Sequence, residues 1–367
     1  MTELHLWLRH EARTTERRTP IVPDDARRLV GHGVELTVEE SPQRVFPIEE
    51  YEAAGCRVAP AGSWVTAPRD AVVLGLKELP DEPAGLTHRH IFFGHAYKGQ
   101  PGAADLLGRF AAGGGALFDL EYLVDDTGRR LAAFGFWAGY LGAALAVLRH
   151  RGRLRAPLTP TTKEDLDETL KPDAADAGFA GLVIGALGRS GRGARAAFTT
   201  AGADPTCWDL AETRDLDRAA LLRHDVMVNA VLATTPVPPF LRPQDLDAPD
   251  RRLRTLCDVT CDVGSPLNVL PVYDDTTSWD EPVHRLRDEP PLDLIAIDNL
   301  PSLLPLESST DFSAALLPHL LDFGVAGAWG RCLDRFREAS RAHGLDKDKD
   351  KDNDKDKDKD KGESFDH

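Results

Sequence analysis

The segment Gly181–Gly193, GLVIGALGRSGRG, constrains the fold more than any other stretch: a short apolar run enters a glycine-dense turn, and the helix-compatible ARAAF follows. A strand passing directly into a helix through glycines is the entrance to a nucleotide site. There the helix-start amides approach a pyrophosphate and the helix dipole favours its charge. Against the pattern G-x-G-x-x-G, Gly188 and Gly191 match the last two glycines, and Ala186 sits where the first should be. Gly185, Leu187, Arg189 and Ser190 complete the candidate cofactor loop. Asp209 ends the strand-like CWDL, 21 residues after Gly188. A carboxylate at that spacing accepts the ribose hydroxyls of NAD and repels the 2′-phosphate of NADP. Arg189 and Arg192 supply opposing positive charge nearby, and a bare strand-to-helix turn has the same local pattern.

The rest of the chain repeats the alternation. Leu4–Leu8, Glu35–Val38, Ala71–Leu76, Ile91–Gly94 and Ala116–Leu120 read as strands, and Asp24–Val30 and Ile48–Ala54 as helices closed near Gly31 and Gly55. A second series, Gly181–Ile184, Cys207–Leu210, Val226–Val231, Leu256–Val259 and Leu294–Ile297, follows an apolar stretch, Leu131–Leu148. Residues 152–178, polar and Pro-bearing, read as an exposed excursion between the halves. This is an α/β pattern: parallel sheets flanked by helices.

Composition limits the function. Of the 367 residues 42% are hydrophobic, enough for two packed cores, and 44 basic against 60 acidic residues leave a net charge of −16. No global attraction to nucleic acid or anionic membrane is expected. The uncharged Leu131–Leu148 just reaches spanning length, but its Ala and Gly content and flanking charges favour a buried helix. Five cysteines, an odd number, without a secretory leader pattern fit a reduced cytoplasmic protein. Cys257 and Cys261 stand four apart without a second pair at ligand spacing, and His88, His90 and His95 have no cysteine near them, so no metal is assigned. Asp346–Lys361 alternates Asp and Lys, buries nothing, and is expected to be a disordered tail.

Several blocks in order, SPQRVFPIEEYEAAGC (41–56), PAGSWVTAPRDAVVLGLKELP (60–80), GHAYKGQ (94–100), GRRLAAFGFWAGYLGAAL (128–145), IGALGRSG (184–191), RRLRTLCDV (251–259) and IDNLPSLLP (297–305), make the chain resemble the NAD-dependent, lysine-forming saccharopine dehydrogenases, relatives of alanine dehydrogenase. The resemblance implies two Rossmann-like domains with the active site in the interdomain cleft. Residues 1–130 plus 300–345 would bind substrate, 131–299 would bind NAD, and 346–367 would form the tail. It implies oxidation of saccharopine's secondary amine by hydride transfer to NAD, then hydrolysis of the imine to lysine and 2-oxoglutarate, with those small molecules as the partners of a monomer or small homo-oligomer.

By the same resemblance Lys77 and His95 form the acid–base pair, both just past carboxyl ends of predicted strands where open α/β sheets place ligands. Arg18 and Lys98 would meet substrate carboxylates; Glu16, Glu78, Glu121 and Asp298 would line the cleft, tuning the pair and holding ammonium groups. Arg130, with Phe134 close behind it, would lie near the cofactor pyrophosphate. Arg13, Ala96 and Asn299 stand where fungal members carry lysine, cysteine and histidine. Ser190 and Ala230 replace a cysteine pair, so redox control through that pair is not implied. An alanine-dehydrogenase-like or opine-type enzyme, or a non-catalytic NAD-binding protein, shares most of these features.

Overall fold

The computed structural model describes residues 4–345 apart from Lys98, Gly99, Pro101, Ala175, Ala177 and Thr234. Lys98 and the Asp/Lys tail therefore lie outside the described residues. The chain divides into two compact units: residues up to Ala133 together with those from Phe312 on, and Phe134–Asp311.

The first unit holds a six-stranded parallel sheet of β1 (His5–Leu8), β2 (Glu35–Glu39), β3 (Arg57–Ala59), β4 (Val72–Leu74), β5 (Arg89–Phe92) and β6 (Ala116–Asp119), in the order β3-β2-β1-β4-β5-β6. Strands buried on both faces need near-continuous apolar runs, which is why VVL of β4 is wholly buried. Helices α1 (Pro23–Gly31), α2 (Ile48–Ala53) and α3 (Ala103–Gly113) connect the strands. Proline opens α1, its fixed φ suiting a first turn. The order reverses between β1 and β4, and ligands of open sheets bind outside the carboxyl ends at such a point.

In the second unit α4 (Gly135–His150) and α5 (Lys163–Leu170) precede β7 (Gly181–Ile184), α6 (Arg189–Thr200), β8 (Thr206–Trp208), α7 (Leu210–Arg214), α8 (Arg218–Leu222), β9 (Val226–Asn229), β10 (Thr255–Asp258), β11 (His284–Arg287) and β12 (Leu292–Ile295). The sheet order is β11-β12-β10-β9-β7-β8, parallel except for edge strand β11. Here the reversal falls between β7 and β9, beside the glycine turn. The boundary between the units lies inside α9 (Pro305–Leu321), and α10 (Gly327–Ala342) packs on β6.

Three local expectations change. The apolar helix begins at Gly135 rather than Leu131, because a bridge pairs Val124 with Arg130 and the Leu131 amide bonds the Leu123 carbonyl at 2.8 Å. Residues 152–178 are not merely an exposed excursion: Thr162 caps α5 through the Asp165 amide, and Leu166 and Leu170 join the core around α4 and α6. Strands β3 and β11, three and four residues with exposed positions, carry too little apolar signal to stand out in the sequence.

Helix α4 is buried along most of its length, and no helix among the described residues is long and apolar enough to cross a membrane. Its glycines serve close packing within the second unit. A Cβ on Gly139 would lie 1.8 Å from the Ser190 carbonyl oxygen, and one on Gly193 of α6 would lie 1.9 Å from that of Phe136. Gly193→Ala should therefore lower stability by about 1–3 kcal/mol through overpacking. Gly108→Ala, in α3 with open space around it, should leave stability unchanged or raise it slightly. Urea denaturation of the two variants beside the parent checks the contrast.

Candidate active site and nucleotide loop

At the reversal of the first sheet, four strands deliver polar groups to one end. The Arg9 amide bonds the Leu74 carbonyl at 3.0 Å just past β1. The pairing of β4 with β5 continues past both strands through Gly75 to Ile91 (2.9 Å) and Phe93 to Leu76 (3.1 Å). Lys77 and His95 thus leave adjacent strands at the same edge, a register that brings the two expected acid–base residues into one neighbourhood. Phe92 pairs with Asp119 on the next strand, which places Glu121 beside them.

His95 has φ +49°, in the left-handed region that few non-glycine residues enter, and its side chain is half exposed. Such strain concentrates at functional sites when the surroundings over-determine it. Its Nδ1 lies 3.8 Å from Glu121 Oε2, and the other Glu121 oxygen accepts from Arg130 Nη2 at 3.1 Å. Ala96, the next residue, is buried. Glu121 itself is held by Asp119, whose Oδ1 accepts the Glu121 amide at 2.9 Å and caps the short 3₁₀ turn Leu120–Tyr122. Asp119 is wholly buried. Burial pushes its carboxyl up to about 7, opposed by the amides of Glu121 and Gly94 and by the Arg130 charge and reinforced by the Glu121 charge.

Arg18 and Glu16, both buried, face each other. The guanidinium donates from Nε (2.8 Å) and Nη2 (2.6 Å) to the two Glu16 oxygens, a bidentate fork that matches charge for charge. Arg13 donates to Glu78, the residue after Lys77. Arg18, the described cation expected for a substrate carboxylate, therefore sits beside a carboxylate of its own.

In the second unit the glycine turn differs from the expected alignment. Gly185, with φ +83°, makes the tight turn assigned to the first glycine, so the working pattern is G-x-x-G-x-x-G and Ala186 is not its first position. Gly188 is the N-cap of α6. A Cβ on Gly191 would sit 2.0 Å from the Gly185 carbonyl oxygen, the close helix–strand approach required of the last glycine. Gly185 and Ala186 amides bond the Trp208 carbonyl at 2.8 and 3.1 Å, tying the loop to β8. Asp209 accepts the amides of Leu187 and Leu210, each at 2.9 Å, with Glu212 closing a capping box. Leu187 and Leu210 are largely exposed around it. The first turn of α6, Arg189–Gly191, carries the helix-start amides that a pyrophosphate would meet. Ser190 lies in that turn, and the Ala230 amide bonds the Ile184 carbonyl at 2.9 Å. Asp298 is exposed past β12, and Asn299 donates to Ser302 at 3.0 Å. Phe134 is the N-cap of α4. Each unit is thus equipped at its own sheet reversal.

Asp119 and the buried pair Arg9 and Glu11 carry only a positional signal in the sequence: charged residues at or within three positions past the ends of the apolar runs ALF and LHLWL.

Among curated proteins, saccharopine dehydrogenase [NAD(+), L-lysine-forming] of Emericella nidulans is 41% identical over 361 residues, covering 91% of this chain and 96% of that protein. The chain belongs to the saccharopine dehydrogenase [NAD(+), L-lysine-forming] family. The family's Schizosaccharomyces pombe member is 40% identical over 358 residues, with 90% and 97% covered. The family described as alanine dehydrogenase/PNT, N-terminal domain, matches residues 7–141. Among solved structures, an L-alanine dehydrogenase superposes with TM-score 0.66 at 15% identity (92% and 94% covered), and a transhydrogenase from Sinorhizobium meliloti with 0.62 at 16% (87% and 93%). These two share the fold.

Asp119 gives a pH signature. Its carboxyl titrates near 7 in the folded state and near 4 when unfolded, so between those values the folded state holds the extra proton. Stability from this group is complete below about 4 and is lost as pH rises through 7. Relative to Asp119→Asn, the parent should lose stability between about pH 4 and 7; denaturant titrations at both ends measure the difference.

Proposed function

We propose that this chain is an NAD-dependent saccharopine dehydrogenase, cleaving saccharopine with water to lysine and 2-oxoglutarate, reversibly. The observation that carries the reading is the joint one: identity of about 40% across nearly the whole length of proteins so named, with Lys77 and His95 on adjacent strand ends at a sheet reversal.

NAD, when bound, takes up the hydride. The glycine turn, the α6 N-terminus and Asp209 suit its pyrophosphate and ribose, and the carboxylate of Asp209 disfavours a 2′-phosphate. Lys77 removes the proton from saccharopine's secondary amine, freeing the lone pair that drives hydride off the adjacent carbon and leaves an imine. His95 takes a proton from water as its oxygen adds to the imine carbon. Glu121, on the Nδ1 side of His95, stabilises the imidazolium. The His95 imidazolium then gives its proton to the nitrogen, and as the C–N bond breaks and the C=O bond forms the carbinolamine hydroxyl returns a proton to His95, releasing lysine and 2-oxoglutarate. Arg18 with Glu16, Arg13 with Glu78, Lys98 and Asp298 receive the substrate's three carboxylates and its ammonium groups, and Arg130 and Phe134 border the cofactor. In this reading the first unit binds substrate and the second binds NAD. The five cysteines are free thiols, which supports a cytoplasmic setting.

NADH formation by the purified chain tests the reading. Turnover is expected with saccharopine plus NAD and not with alanine, other opines or NADP; preference for alanine would overturn the substrate. Lys77→Met and His95→Asn should each lower kcat by roughly 10²-fold or more, and near-parental kcat in both would remove the assignment.

A further inference from the structure

We infer that Arg9 and Glu11 are positioning residues for Lys77, a buried ion pair that fixes where the lysine stem begins. The inference rests on the reading of Lys77 as the base.

On the side facing β1 the ladder ends at Leu74, and the Leu76 and Lys77 amides need other partners. Glu11 supplies them: its two carboxylate oxygens accept the amides of Leu76 at 2.6 Å and Lys77 at 3.0 Å. Arg9 grips the other side of the same residue, Nη2 donating to the Lys77 carbonyl. Its Nη1 donates to the His10 carbonyl at 3.0 Å and lies 3.2 Å from Glu11 Oε2, so the two side chains close a ring around Lys77's peptide groups. The pair is 1% and 6% exposed at the side chains. Gly75 makes room for it, since a Cβ there would fall 2.4 Å from Arg9 Nε. The guanidinium also lies 5.8 Å from the centre of the Phe92 ring, on the strand that leads to His95.

Burying two charges is a poor way to stabilise a sheet, because apolar residues of the same volume usually do as well or better. Three of the pair's bonds go instead to Leu76 and Lys77. A lysine side chain is long and loses much rotamer freedom when ordered, so the placement of its backbone decides how often the amine reaches the substrate nitrogen. A displacement of about 1 Å at a reacting group costs about 10²-fold.

The test uses the full chain with Glu11→Gln, and Arg9→Lys as the second variant, which keeps the charge but not the reach to the carbonyl. Each should lose about 10–100-fold in kcat, with the KM for saccharopine and the affinity for NADH little changed. Added to Lys77→Met, Glu11→Gln should cost no further factor, because its effect passes through the missing side chain. An equal loss in both backgrounds, or parental kcat in a folded variant, overturns the inference.

A second readout does not need saccharopine. Lys77, Lys98, Lys163 and Lys171 precede the seven lysines of the tail, so reductive ¹³C-methylation labels eleven lysine side chains, and Lys77→Arg identifies the signal of interest. Glu11→Gln should shift or broaden that signal and leave those of Lys163 and Lys171 in place. An unmoved Lys77 signal overturns the inference, while failure of the parent to turn over saccharopine overturns the functional reading alone.

Discussion

Where a strand leaves a parallel ladder its next amides lose their partners, and in this chain carboxylates take them up. Glu39, the last residue of β2, accepts the amides of His10, Gly62 and Trp64. Glu11 serves Leu76 and Lys77, Asp119 serves Glu121, Asp209 serves Leu187 and Leu210, and Asp258 serves Thr260. An unmet buried amide costs about 1–3 kcal/mol, so Glu39 at Trp64 and Glu11 at Leu76 secure loops that would otherwise fray. The loops so secured follow the carboxyl ends of the strands, the side on which ligands of this fold class bind.

The acidic balance of the chain takes on meaning from this. A net charge of −16 argues against polyanionic partners, but several of the carboxylates are not surface charge. Glu16, Glu39, Asp119 and Asp258 are all buried and hold either backbone or an arginine. Lysine is scarce in the folded part, and arginine is the residue that answers the acids, in bidentate or multiply bonded pairs that lysine cannot form.

Much of this was legible in the sequence. Gly181–Ile184 was read with both its ends, and the β–α alternation gave the fold class because buried parallel strands must be apolar on both faces. The blocks around Lys77, His95 and Gly188 pointed to the chemistry. The first glycine was misaligned, since a pattern of spacings carries no φ angle and only the coordinates show Gly185 in the left-handed region. Strands β3 and β11 were missed because edge strands need little burial. Arg9, Glu11 and Asp119 were missed because a charged residue after a strand reads as solvated until its partners, 30 or more residues away or on the next turn, are located. Helix α5 was hidden by polar composition, with only Leu166 and Leu170 reporting the buried side.

The left-handed backbone at His95 reaches beyond catalysis. Histidine, asparagine and aspartate tolerate that conformation, and β-branched residues do not. Selection at this position is therefore made by the chain's path before any reaction is considered. A lineage drifting from this scaffold toward other substrates would find most replacements at 95 closed by conformation, leaving the pocket walls as the place where new specificity can arise.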